Sequence, residues 1–261
     1  MQDRHVNRQK YFEEQSYTTH KYVIPFIASV KPITSDLKVL EIGCGEGGNL
    51  KPFLDLGCKC VGIDLSTTQI ENAKIFYKDH PNQTHIQFIS EDIYNIEPFD
   101  EPFDLVMLRD VIEHIPNQAH FMHFVKKFLK PEGLLFFGFP PWYNPFGGHQ
   151  QVLPGFASKI PYFHILPKPL YLGVLQLFGH NRKNLKELME IHDTGISIER
   201  FERIVKKEQF EILKKQDFLF NPNYEIKFGL QPRKIIYPFF KIPFIRNFYT
   251  TAVYYVLNTG H

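Results

Sequence analysis

The sequence holds little that would carry it out of a cell or across a membrane. Its three cysteines, Cys44, Cys58 and Cys60, form no zinc or disulfide framework, which fits a reducing cytoplasm. No uninterrupted apolar run reaches membrane-spanning length, because prolines and charges break each candidate. The N-terminus is polar and charged, without the apolar core of a secretory signal. Charge of one sign is also scarce: 30 Lys and Arg stand against 28 Asp and Glu, a net of +2. No field of one sign therefore argues for a nucleic-acid partner. Tryptophan occurs once and methionine four times, yet aromatic content reaches 15% through 26 Phe and 13 Tyr. At 261 residues the chain suits one α/β domain with insertions or a small cap, and it is large enough for a substantial core.

The stretch Val39 to Leu50, V-L-E-I-G-C-G-E-G-G-N-L, organises the rest. Val39, Leu40 and Ile42 form a strand, glycines at 43, 45, 47 and 48 allow a turn that side chains would block, and a helical spacing resumes at Asn49. Strand, glycine turn and helix together bring bare N–H groups to an anionic or polar ligand. Two cofactors compete here. Gly43, Gly45 and Gly48 fit G-x-G-x-x-G, with Asp64 at the distance of a ribose-binding acid, as in NAD-dependent oxidoreductases. The same stretch fits acid-x-G-x-G-x-G, with Glu41 as the acid and Gly47 as the third glycine. That pattern resembles motif I of the class I S-adenosylmethionine (SAM) methyltransferases.

Downstream elements separate the two. Cys58–Asp64 is a second strand, with Ser66 capping a helix over Thr67–Tyr77; Ile86–Ile89 is a third and leads into Ser90-Glu91-Asp92-Ile93. Phe103–Leu108 is a near-continuous apolar fourth strand followed by Arg109-Asp110 and E-H-I-P; Leu129–Gly133 is a tight turn into a fifth, Leu134–Phe139. Motif I, G-I-D, E-D-I, F-D-L-V with E-H-I-P, and L-K-P-x-G-x-L-x-F follow the order and spacing of class I SAM methyltransferases over about Val39 to Pro140. A dehydrogenase accounts only for the first two of these.

The resemblance implies a Rossmann-like α/β fold: seven strands, mostly parallel with the last antiparallel, and helices on both faces. Residues 1–36 would be an N-terminal helical flank or lid, with Tyr17 and Lys21 as candidate lid residues. Residues 37–140 and 195–261 would form the SAM-binding domain. By the same resemblance Glu41 and the turn through Gly43, Cys44, Gly45 and Gly47 hold the methionine and ribose side. Asp64, with Leu65 beside it, takes the ribose hydroxyls; Asp92 and Ile93 meet the adenine; Arg109 and Asp110 lie beside the methionyl group.

Beyond Pro140 the pattern departs from a minimal member. Leu134 to Ser158 carries no Asp, Glu, Lys or Arg, and a second aromatic, proline-rich stretch runs Asn221 to Asn247. A helix is expected around Leu170–Ile191, another over Ile198–Gln209 capped by Ser197, a sixth strand over Phe210–Phe220 and a last one over Phe248–Leu257. Residues 141–194, with 221–247, would make an aromatic cap from insertions after strands five and six, at the sheet edge where open α/β folds bind ligands. Such a cap predicts a small apolar or aromatic acceptor, with O-methylation favoured. His149, in G-G-H-Q, is the candidate base, ahead of His164, His180 and His192. Asp110, Glu113 and His114 resemble the acid-x-x-E-H segment of the ubiquinone-biosynthesis O-methyltransferases, some of which use a divalent metal, but relatives that need none share E-H-I-P, so no metal is expected. The cap aromatics also fit a homodimer surface, or peripheral membrane contact through Phe239, Phe240 and Phe244 with Lys234, Lys241 and Arg246. A SAM-binding protein without transferase activity, and an NAD-dependent oxidoreductase, are the competing functions.

Overall fold

The computed structural model describes residues 7–148, 159–177, 182–236 and 242–260. Strands β1 (Lys38–Ile42), β2 (Lys59–Asp64), β3 (Ile86–Ser90), β4 (Phe103–Arg109), β5 (Leu129–Phe139), β6 (Glu211–Phe220), β7 (Arg233–Lys234) and β8 (Ala252–Asn258) form one sheet in the order β3-β2-β1-β4-β5-β8-β6-β7. β1 to β5 pair in parallel where they are neighbours, and β8 slots between β5 and β6, antiparallel to both. The Rossmann-like expectation therefore holds, with eight strands instead of seven. The addition is β7, two residues that fold back on β6 at the sheet edge, too short to carry a periodic signal.

Both faces of the sheet are covered, and the side chains divide between them with period two. Val39, Leu105, Met107, Phe136, Tyr254 and Val256 pack beneath helices α1 (Arg8–Thr18), α2 (Ile24–Ala28), α3 (Lys51–Asp55) and α4 (Thr67–Tyr77). Leu40, Val106, Leu135, Phe137, Tyr255 and Leu257 pack on the other side, against α5 (Gln118–Phe124) and α8 (Ile198–Lys207). α8 buries Ile198, Phe201 and Val205 in this core; the Phe201 ring is 5.0 Å from Phe137, 5.0 Å from Phe139 and 4.7 Å from Tyr255. Ser66 and Ser197 cap α4 and α8 as expected, accepting from the N–H groups of Gln69 and Arg200.

Three local readings need correction. Leu129–Gly133, expected as a turn before the fifth strand, lies within β5, where residues 130–133 bulge opposite Asp104 and the register with β4 shifts between Phe103 and Leu105. The helix expected over Leu170–Ile191 is two, α6 (Lys168–Leu177) and α7 (Arg182–Thr194). With Phe163 they bury Tyr171, Leu175 and Leu188 in a small core of their own. The last strand starts at Ala252, because Ile245–Phe248 winds into a short 3₁₀ turn. At the N-terminus the helical run continues through Pro25. A π-turn, Thr19–Val23, joins α1 to α2 and relaxes the clash an α-helical Pro25 would make with the carbonyl of Lys21.

Candidate active site

The C-terminal ends of β1, β2 and β4 meet at the glycine turn. Gly43, Gly45 and Gly47 take φ of 72°, 55° and 78°, a region costly for residues with a Cβ. The N–H groups of Gly43 and Cys44 donate to the carbonyl of Ile63 at 2.8 and 3.1 Å, which ties the turn to β2. Asp64, at the tip of β2, accepts from Gly45 N at 2.8 Å on one oxygen and from Ser66 N at 2.8 Å on the other. Each oxygen keeps a second lone pair. Gly48 matters for close approach: a Cβ there would sit 2.5 Å from the carbonyl oxygen of Phe12, so the bare residue lets α1 close onto the turn.

Two chambers adjoin at Gly43 and Asp64, cavities of about 250 and 220 Å³. The first is apolar, walled by Ile42, Ile63, Leu65, Ile93, Val111 and Phe121, with Asp92 and His114 at its edge. Asp92 uses one oxygen to accept from Tyr94 N at 3.0 Å. Leu65, 74% exposed, is a rim residue. The second chamber is polar: Gly45, Arg109 and Asp110 face it, with Arg8, Tyr11 and Gln15 from α1 and Gln69 from α4. The α1 and α4 residues were not singled out from the sequence; their approach is tertiary, and only the crowding at Gly48 hints at it.

Glu41 lines neither chamber. It is fully buried, one oxygen accepts from Asn49 Nδ2 at 2.6 Å, and burial pushes its carboxyl up to about 8. Its role is to hold Asn49, whose Oδ1 in turn accepts from Thr19 Oγ1 at 2.8 Å and from Arg109 at 2.7 Å. Cys44 is likewise buried, its thiol pushed well above the ordinary range by burial, with Sγ 2.8 Å from where a Cβ on Gly62 would stand. Gly47 packs against Phe88 and Tyr77. Asp110 holds φ of 55° and donates its N–H to the carbonyl of Gly138 at 2.7 Å.

Glu113 is buried, and its carboxyl is raised by desolvation and by Asp110; burial lowers His114. Among the described residues no three His, Cys, Asp or Glu side chains gather as a metal would require. His164 is buried, with Nε2 2.6 Å from the carbonyl oxygen of Trp142 and a pKa lowered to about 4 by burial. His149, His180, Phe239, Phe240 and Lys241 lie outside the described residues. Arg246 is not available to a membrane, since it pairs with Glu199 and Glu202, each at 2.8 Å. Tyr17 and Lys21 bond Glu225 of α9 (Asn223–Phe228), at 3.1 and 2.8 Å, so the second insertion sits on the N-terminal helices.

The profile of the methyltransferase-domain family matches residues 18–214. Ubiquinone biosynthesis O-methyltransferases are similar over the central stretch. The one from Rhodopseudomonas palustris (strain HaA2) is 37% identical over 103 residues, 39% of this chain and 39% of that protein. The one from Bartonella tribocorum is 35% identical over 101 residues, 39% of this chain and 40% of that protein. The match thus spans about two-fifths of the length of these curated relatives. Among solved structures, a putative sarcosine dimethylglycine methyltransferase from Galdieria sulphuraria superposes with a TM-score of 0.62 at 14% identity, covering 92% of this chain and 85% of that one. The geranyl diphosphate C-methyltransferase from Streptomyces coelicolor gives 0.57 at 13% identity, covering 90% and 76%. At such identities these structures speak for the fold. With most of the chain matched by the family profile and the cleft built on motif I, this protein belongs to the class I SAM-dependent methyltransferases.

Proposed function

We propose that the chain transfers the methyl group of SAM to a small, largely apolar or aromatic acceptor, with O-methylation favoured. The observation that carries this reading is the pairing of one apolar and one polar chamber across Gly43 and Asp64. An adenosine end suits the first and an aminocarboxylate end the second. The free lone pairs of Asp64 suit the two ribose hydroxyls, Asp92 an exocyclic amine and Ile93 the face of the base.

Bound SAM would supply a methyl already activated on a sulfonium. The chain's own work is then to align the acceptor behind that methyl and to keep water out. The charge-poor residues after β5, and the separate core of Phe163, Tyr171, Leu175 and Leu188, support residues 141–194, with 221–247, as the acceptor cap. The O-methyltransferase names of the relatives support oxygen as the atom methylated. His149 is proposed as the base that takes the acceptor's proton. Equilibrium titration with SAM and with NAD, followed by assay of S-adenosylhomocysteine release with phenolic acceptors, tests the reading. Preference for NAD would overturn it, and tight SAM binding with no turnover on any acceptor would leave a binding protein.

A further inference from the structure

We propose that Asn223, on α9 in the second insertion, completes the cofactor site: it steers the Arg109 guanidinium into the polar chamber, where that guanidinium takes the cofactor's carboxylate. The proposal rests on the SAM reading above. Arg109 ends β4, is 7% exposed and faces the polar chamber. Its guanidinium donates to Thr19 Oγ1 at 3.2 Å, to Asn49 Oδ1 at 2.7 Å and to Asn223 Oδ1. All three are neutral oxygens. Among the described residues no carboxylate oxygen lies within 4.0 Å of it. A buried cation without a counter-charge is costly.

The nearby acids do not supply that counter-charge. Glu41, on the same sheet face, is held largely protonated at neutral pH by burial. Asp64 makes no ion pair with Arg109; its two oxygens accept from the N–H groups of Gly45 and Ser66. Asp110 shares the chamber but makes no ion pair with Arg109. Neutral acceptors orient a guanidinium while leaving its charge for a ligand, whereas a carboxylate in their place would cancel it.

α9 itself is fixed by Glu225, which accepts from Tyr17 Oη at 3.1 Å, Lys21 Nζ at 2.8 Å, Gln231 Nε2 at 2.9 Å and Tyr22 Oη. That anchorage sets Asn223 over the end of β4. The asparagine is a positioning residue, acting through Arg109.

The test uses two ligands that share adenosine and a thioether, S-adenosylhomocysteine and 5′-methylthioadenosine, of which only the first has the aminocarboxylate. Calorimetric titration of Asn223→Asp is expected to show S-adenosylhomocysteine weakened by about tenfold or more, since the new carboxylate both neutralises Arg109 and repels the ligand's own. Affinity for methylthioadenosine stays as in the unsubstituted chain. Asn223→Ala, which keeps the comparison alive should the aspartate variant not fold, weakens the first ligand severalfold and spares the second. Equal losses for both ligands, or no loss for either, overturn the role of Asn223. An unsubstituted chain that binds neither ligand overturns the SAM reading itself, and this proposal with it.

Discussion

In the proposed site Asp64 is the side chain that would do most for the cofactor. Replacing it with alanine would remove a charged acceptor for two hydroxyls, and hydrogen bonds to charged groups contribute about 1.5–3 kcal/mol each. Asp64→Ala should therefore weaken SAM binding by tenfold or more, on the order of that estimate, while far-UV circular dichroism shows a folded chain; unchanged affinity would remove Asp64 from the ribose. Glu41 gives a different readout. Its folded pKa of about 8 lies above the ordinary 4.5, so between those values the folded chain holds a proton that the unfolded chain has lost. The stability drawn from that proton is fully present below pH 4.5 and is lost as pH rises through about 8. Denaturant titrations at pH 5.5 and pH 8 should show Glu41→Gln losing about 3 kcal/mol less than the unsubstituted chain over that interval. At His149, alanine should lower turnover and leave SAM affinity unchanged; full turnover would retire it as the base. Motif spacing singled out Asp64, Asp92 and Arg109, which line the two chambers, and Glu41, which does not. It could not tell that Glu41 is buried beneath the cleft, because depth depends on which helix covers the strand tip.

At the scale of elements, α8 is fastened to the sheet by Ile198, Val205 and the fully buried Phe201, whose ring lies among Phe137, Phe139 and Tyr255. Truncating a buried phenylalanine costs about 3–5 kcal/mol, the transfer of the ring plus the cavity it leaves. Phe201→Ala should lower unfolding stability by that amount, and a loss under about 1 kcal/mol would mean the helix is held elsewhere. The parallel strands were readable because residues buried on both faces form nearly continuous apolar runs, as in Phe103–Leu108. Caps were readable because Ser66 and Ser197 act within one turn of their own chain. What escaped was local structure decided by distant partners: the extension of β5 past Lys130 along β4, the edge strand β7, and the π-turn ahead of Pro25.

For the whole molecule, binding of SAM to the folded chain alone adds about 2.7 kcal/mol at a hundredfold excess over Kd. In a chain of this size that should raise the thermal midpoint by roughly 5–10 °C. NAD at the same concentration should leave the midpoint in place; a shift with NAD and none with SAM would reverse the assignment. The order of motifs along the chain determined the sheet, the glycine turn and the carboxylates at its rim, since each depends on neighbours within a few residues or on a strand that must be apolar on both faces. Tertiary structure alone decided that α1 lines the polar chamber, that α9 reaches Arg109, and that Arg109 lies buried among neutral oxygens. Those contacts join residues some 90 and 114 positions apart, where no local spacing constrains which side chain meets which.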